Sequence, residues 1–111
     1  MIRLLLVELD PDDHDTRALA RALRDEGAEV VYTTAGTADE VVITAAQEDV
    51  RAVGFAVRTD EQRRLAAEAA REVVVFATAA QDEPDLRQAG VAAVFQTGAA
   101  DHVVAWAGKL G

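Results

Sequence analysis

The stretch Ile2-Arg3-Leu4-Leu5-Leu6-Val7-Glu8-Leu9, then Asp10-Pro11-Asp12-Asp13-His14-Asp15-Thr16, then Arg17 to Glu26, decides the fold. The first segment is an almost continuous apolar run, which is how a strand buried on both faces of a parallel sheet reads. The last segment has helical spacing, with Leu19, Ala22 and Leu23 as its apolar stripe. It stops at Gly27, a usual helix terminator. Between the two lie four aspartates and one imidazole. A strand-to-helix turn of this kind is where an α/β domain presents ligand-binding groups.

Outward from that unit, the same alternation recurs. Strands are predicted at Ile2–Leu9, Glu29–Thr33, Ala52–Val57, Val73–Ala77 and Ala92–Phe95. Helices are predicted from about Thr16 to Glu26, from Thr37 onward, over Asp60–Arg71, over Glu83–Ala89 and from about Ala100 to Leu110. Thr37 with Glu40, and Thr59 with Gln62, have capping-box spacing. Pro84 falls in the first turn of the fourth helix, with Gly90 after it. The last helix has the stripe Val103, Trp106 or Ala107, and Leu110. The pattern is (βα)5. Short connections require right-handed crossovers and helices on both sheet faces. The expected fold is therefore α/β and flavodoxin-like (Rossmann-like), a three-layer sandwich with a parallel five-stranded sheet in the order 2-1-3-4-5. In such sheets ligands bind beyond the C-terminal strand ends, near the β1/β3 switch point. Four loops should converge there: Asp10–Asp15, Arg58–Asp60, Thr78–Gln81 and Gln96–Ala99.

Composition narrows the possible functions. The 111 residues suit one domain spanning 1–111, and half are hydrophobic, enough for one core. No apolar run approaches the roughly 20 residues of a membrane span, and no signal peptide is visible. The absence of cysteine excludes thiol catalysis, disulfides and zinc-thiolate sites, and fits a cytoplasmic protein. The net charge of -9, from 11 basic and 20 acidic residues, is the opposite of what a nucleic-acid surface needs. With only two histidines, His14 and His102, a multi-histidine metal site is not expected.

His14 has two readings from the residues alone, a ligand or a solvent-exposed loop histidine. Asp10, Asp12, Asp13 and Asp15 are either supporting groups, a divalent-cation site, or helix N-terminal caps favoured by the dipole. Capping suits Asp13 and Asp15 best. Arg17 and Arg58 are placed to pair with these aspartates across the strand edge. Trp106 reads as the edge of the core and His102 as a surface residue. No Ser–His–Asp order, glycine-rich phosphate loop or paired-carboxylate arrangement is identifiable, so no catalytic residue is assigned.

The segments Asp12-Asp13-His14-Asp15, Ala20-Arg21-Ala22-Leu23-Arg24-Asp25-Glu26-Gly27, Glu29-Val30-Val31-Tyr32 and Ala89-Gly90-Val91-Ala92-Ala93-Val94-Phe95 carry a resemblance. So do Glu40-Val41-Val42, Gln47-Glu48-Asp49-Val50 and Val53-Gly54. Together they resemble the cobalamin (B12)-binding domain of the methylmalonyl-CoA mutase type, which includes the separate small subunits of related acyl-CoA mutases. The resemblance covers nearly the whole chain. It implies that His14 is the lower ligand of cobalt, with Asp12 bonded to its other ring nitrogen. Asp15 matches a frequent neighbour. Gly98 is what remains of a glycine-rich turn. The chain departs from the pattern at Arg17, in place of a glycine, at Ala56-Val57-Arg58, in place of a Ser-x-Leu motif, and at Phe76-Ala77-Thr78, in place of a Gly-Gly pair. On this comparison Arg17, Arg58 and Phe76 are expected to fill the groove for the cofactor's nucleotide tail.

Three functions follow. The first is a cobalamin-carrying subunit, not catalytic alone, that presents the cofactor to a mutase large subunit. The second is a cofactor-free descendant acting as an interaction or regulatory module. The third is a receiver-like signalling domain, to which Leu5–Asp12 and Val75–Ala79 are similar. There the phosphoacceptor position holds Val57 and Arg58, and the lysine position holds Gln96, so phosphotransfer is not expected.

Overall fold

The computed structural model describes residues 1–10 and 13–110. Five strands alternate with five helices: β1 Arg3–Glu8, α1 His14–Asp25, β2 Glu29–Thr34, α2 Ala38–Glu48 and β3 Ala52–Ala56, followed by α3 Asp60–Ala69, β4 Val75–Ala79, α4 Pro84–Gln88, β5 Ala93–Gln96 and α5 Ala100–Gly108. The strands are all parallel and lie in the order β2-β1-β3-β4-β5. The chain has the expected flavodoxin-like fold. Among the described residues no helix is long and apolar enough to cross a membrane.

Burial follows position in the sheet. Every residue of β3 and β4 is buried, as expected of strands covered on both faces. The edge strands β2 and β5 keep exposed positions. Alternating side chains divide the core in two. Leu5, Val7, Val53, Phe55 and Val75 meet Val41 and Ala45 of α2, Leu65 and Ala69 of α3, and Leu86 of α4. Leu4, Leu6 and Phe76 meet Leu19, Ala20 and Leu23 of α1 and Val103 and Ala107 of α5.

The second face has an aromatic floor. Phe76, Phe95 and Trp106 form three edge-to-face pairs with centroids 5.7 to 6.4 Å apart. Phe76 lies across Gly54, its register partner on β3. A β-carbon at Gly54 would stand 2.2 Å from the Phe76 ring, so only glycine leaves the ring its place.

Two expectations shift. The fourth strand begins at Val75 rather than Val73. The Val73 amide still bonds the Ala69 carbonyl, closing the end of α3, and Val74 is exposed. The first helix begins at His14 rather than Thr16, because Asp13 takes the cap position and its carboxylate accepts the Thr16 amide at 3.0 Å. At the other end of that helix Gly27, at φ +94°, supplies the left-handed residue that the sequence predicts.

Candidate functional site

The C-terminal ends of β1, β3, β4 and β5 form one rim, and the helix starts are bonded across it. Asp13 holds the centre. Besides capping Thr16, its Oδ2 accepts the Thr16 hydroxyl at 2.6 Å and the Gln62 amide Nε2 at 3.2 Å. Gln62 is buried, and its Oε1 accepts the backbone amides of Arg58 (2.7 Å) and Thr59 (3.0 Å). The Thr59 hydroxyl in turn accepts the Gln62 amide, completing the predicted capping box. One glutamine thus closes α3 and ties it to the start of α1, so both helix starts are fixed relative to each other.

Beside this network lies a cleft of about 690 Å³, within the usual range of a small-molecule site. One wall is the flank of α1 carrying Asp15, Ala18, Leu19 and Ala22. The opposite wall is Ala56, Val57 and Arg58 after β3, then Thr78, Ala80 and Gln81. Thr97, Gly98 and Ala100 complete it, so all four predicted loops contribute. Ala18 and Ala22 on one wall and Ala56 and Ala80 on the other keep the space open, with Arg58, Arg63, Gln81 and Glu83 also among its lining. Gly98 sits at φ +92° with open space where a β-carbon would project, so backbone conformation rather than crowding calls for glycine there.

Two ion pairs edge the cleft. Arg58 Nε lies 3.0 Å from Asp15 Oδ2, joining the β3–α3 loop to the first turn of α1. Arg63 grips Glu83 through two bonds of 2.9 Å and reaches Asp60 at 2.7 Å. The Arg63 guanidinium holds the Glu83 carboxyl below its ordinary range.

The predicted site residues are brought together only in part. Asp15 and Gly98 line the cleft. His14 is the exposed first residue of α1, beside Asp15 in sequence but outside the cleft lining. Asp12, assigned to support His14, lies outside the described residues. The pairing of Arg58 with an aspartate is borne out. Arg17 lies on the far flank of α1, with its Nε 3.8 Å from Glu8 Oε2. Arg17 therefore does not fill the cleft, because three residues along a helix is nearly a full turn but Ala18, not Arg17, shares the flank of Asp15 and Ala22. Phe76 is also outside the lining. It is wholly buried beneath the rim, where Gly54 makes room for it. Asp13 is a cap, and among the described residues no group of three His, Cys, Asp or Glu could hold a bare metal ion. The divalent-cation reading is thereby set aside for those residues.

Sequence reasoning missed the Gln62 bridge and the Arg63–Glu83 pair. Thr59-x-x-Gln62 was legible as a cap, but nothing local shows that its spare N–H reaches Asp13, 49 residues away. The open flank of α1 had a signal in Ala18 and Ala22, small residues four apart on one helix face.

A stretch of 64 residues is 44% identical to the 2-hydroxyisobutanoyl-CoA mutase small subunit of Aquincola tertiaricarbonis. The match covers 55% of this chain and 47% of that subunit, so the chain spans about half the length of the curated relative it matches. The expected resemblance to small subunits of acyl-CoA mutases is thus borne out. Among solved structures, a cobalamin-binding protein from Desulfitobacterium hafniense superposes with a TM-score of 0.76, over 99% of this chain and 59% of that one, at 16% identity. The signal receiver domain of the response regulator NarL from Mycobacterium tuberculosis superposes at 0.70 over 97% of each chain, at 18% identity. At such identities both likenesses show the fold. No family model matches the chain.

Proposed function

We propose that this chain is a cobalamin carrier, acting over residues 1–111 as one cytoplasmic domain that presents the cofactor to a separate acyl-CoA mutase large subunit. The observation that carries the reading is the cleft running from the first turn of α1 to Gly98, in a chain related to a mutase small subunit. The residues fit the group. His14 would be the residue that holds cobalt, and it is exposed at the start of α1. The cleft would take the cofactor's nucleotide tail, its volume lying in the range of small-molecule sites. When bound, the cofactor supplies radical carbon-skeleton rearrangement. The chain's own residues bind and orient. Asp13 and Gln62 fix the turn that carries His14, Asp12 is the proposed partner of its second nitrogen, and Asp15 and Gly98 border the tail.

The second reading, a cofactor-free interaction module, is favoured by the Arg58–Asp15 pair, an internal contact at the edge of the cleft. Phosphotransfer is not proposed: Val57 and Arg58 follow β3, and Gln96 ends β5.

The two readings part on one measurement. Purified protein is mixed with hydroxocobalamin, desalted, and its visible spectrum recorded. The carrier reading expects colour retained by the wild type and lost in His14→Ala. A colourless wild type overturns it for the isolated chain and leaves the interaction module.

A further inference from the structure

Among the described residues three polar side chains are buried: Thr16, Gln62 and Thr78. Two of them belong to the Asp13 network, Thr16 through its hydroxyl and Gln62 through its amide. Thr78 is the third. It is only 5% exposed and lines the cleft. Its hydroxyl forms no hydrogen bond among the described residues.

Strand geometry places that hydroxyl at the inner end of the cleft. Side chains alternate along β4, so Thr78 shares the face of Phe76 and stands two residues, about 7 Å, nearer the rim. Its register partner on β3 is Ala56, another cleft residue on the same core face. The Thr78 carbonyl accepts the Val57 amide at 2.8 Å, which ties the two strand ends together. A β-branched side chain has few rotamers, so the hydroxyl is held as well. The other buried members of the lining, Leu19, Ala56, Val57 and Ala100, are all apolar. The charged members pair with one another, Arg58 with Asp15 and Arg63 with Glu83. Thr78 falls in the run where the mutase-type pattern keeps a glycine pair, so this hydroxyl is the chain's own.

We infer that Thr78 is a specificity-determining residue of the cleft, donating its hydroxyl to a ring nitrogen of a bound heteroaromatic group. The inference rests on the carrier reading and deepens it, the group being the benzimidazole base that ends the cofactor's nucleotide tail. An apolar surround with one donor suits a flat ring bearing one acceptor. It rejects a ligand end with several polar atoms, because these would be left unpaired.

The test is titration of the whole chain with hydroxocobalamin, followed by visible absorption, in wild type, Thr78→Val and Thr78→Ser. Thr78→Val keeps the shape and removes the donor, and should bind about tenfold more weakly, the loss of one hydrogen bond. Thr78→Ser keeps the donor and should stay within about twofold of wild type. Binding of cobinamide, which lacks the tail, should be the same in all three. Urea unfolding of the free chains adds a reading that needs no ligand. Thr78→Val should be at least as stable as wild type there, because no protein bond is lost. Four results overturn the inference and leave the carrier reading standing: unchanged cobalamin binding in Thr78→Val, equal weakening in Thr78→Val and Thr78→Ser, equal weakening for cobalamin and cobinamide, or a less stable Thr78→Val. A wild type that retains no hydroxocobalamin overturns the carrier reading, and this inference with it.

Discussion

At the N-terminal end of the sheet, Arg3 reaches Glu48 at 2.9 Å and Glu29 at 3.6 Å, and Arg51 donates to the Leu110 carbonyl at 2.9 Å. These are long side chains lying over the surface, each closing one gap. At the C-terminal end two arginine ion pairs edge the cleft, but the groups that fix the helix starts are partly buried and shared: Asp13 accepts from Thr16 twice and from Gln62 once, and Gln62 serves two further amides. The first end is sealed by the Arg3 ion pairs and the Arg51 bond to a backbone carbonyl. The second has a rim fixed from within and a cleft left open beside it. A site needs both rigidity and unfilled space, and only the internal network supplies rigidity without filling the space.

Both ends rest on the same floor, so the largest effect should come from removing it. Phe76→Ala deletes a wholly buried ring that touches Phe95, Trp106 and the strip over Gly54. It should cost about 3–5 kcal/mol, read from the midpoint of urea unfolding. Gly54→Ala should also destabilise, because its β-carbon collides with that ring, and Phe76→Leu should recover part of the loss. Independent, additive effects would show that the Gly54–Phe76 fit is not the coupling described here.

Next in size is Asp13→Ala. It removes a helix cap, worth about 1 kcal/mol, and leaves the Gln62 Nε2 donor without its partner in a part-buried setting. A loss of about 2 kcal/mol by urea unfolding is expected. A loss no larger than that of a surface ion pair would erase the contrast between the two ends. Gln62→Ala should lose less than additively when combined with Asp13→Ala, since both belong to one network.

What the sequence showed, and what it hid, follows from range. Strand runs such as Leu4–Val7 and caps such as Thr37 and Thr59 are local, so the order of elements, the starts of α2 and α3 and the positions of Asp15 and Gly98 at one edge were readable. The flank of a helix on which a side chain lies depends on rotation about its axis, and that was misjudged for Arg17. Phe76 read as an obstruction because its neighbour across the strand, Gly54, was not in view. Gln62 meeting Asp13 is a contact between two loops, set by sheet order rather than by any spacing along the chain.

The third test is of pH and again concerns the C-terminal end. The hydrogen-bonded Arg63 guanidinium lowers the Glu83 carboxyl below its ordinary value of 4.5 in the folded chain. A depressed carboxyl contributes stability that is fully present above its unfolded value and is lost as pH falls through the folded one. Wild type should therefore exceed Glu83→Gln in urea midpoint near neutrality, and the gap should close as acid protonates Glu83. The Glu83 side chain is 16% exposed but Arg63 is 32% exposed, so solvent screening keeps the effect below that of Asp13→Ala. A gap that stays constant into acid would mean that Glu83 contributes by packing and not by charge.

The smallest effect belongs to the N-terminal end, and it is the one that most sharpens the comparison. Arg3 and Glu48 are well formed at 2.9 Å, yet their side chains are 37% and 38% exposed. Pairs of that exposure hold two long side chains in place against their rotamer entropy and are screened by salt, so Arg3→Ala should cost less than about 1 kcal/mol. The Arg3–Glu48 double-mutant cycle should return a small coupling that shrinks further in high salt. The Asp13–Gln62 cycle should return a larger one that salt leaves nearly unchanged, because a neutral amide donor is involved and the contact is part-buried. A short ion-pair distance is thus a poor guide to which end matters. If the Arg3 cycle gave the larger and salt-insensitive coupling, the N-terminal end would be the rigid one, and an open cleft beside Asp13 would no longer have a fixed rim to explain it.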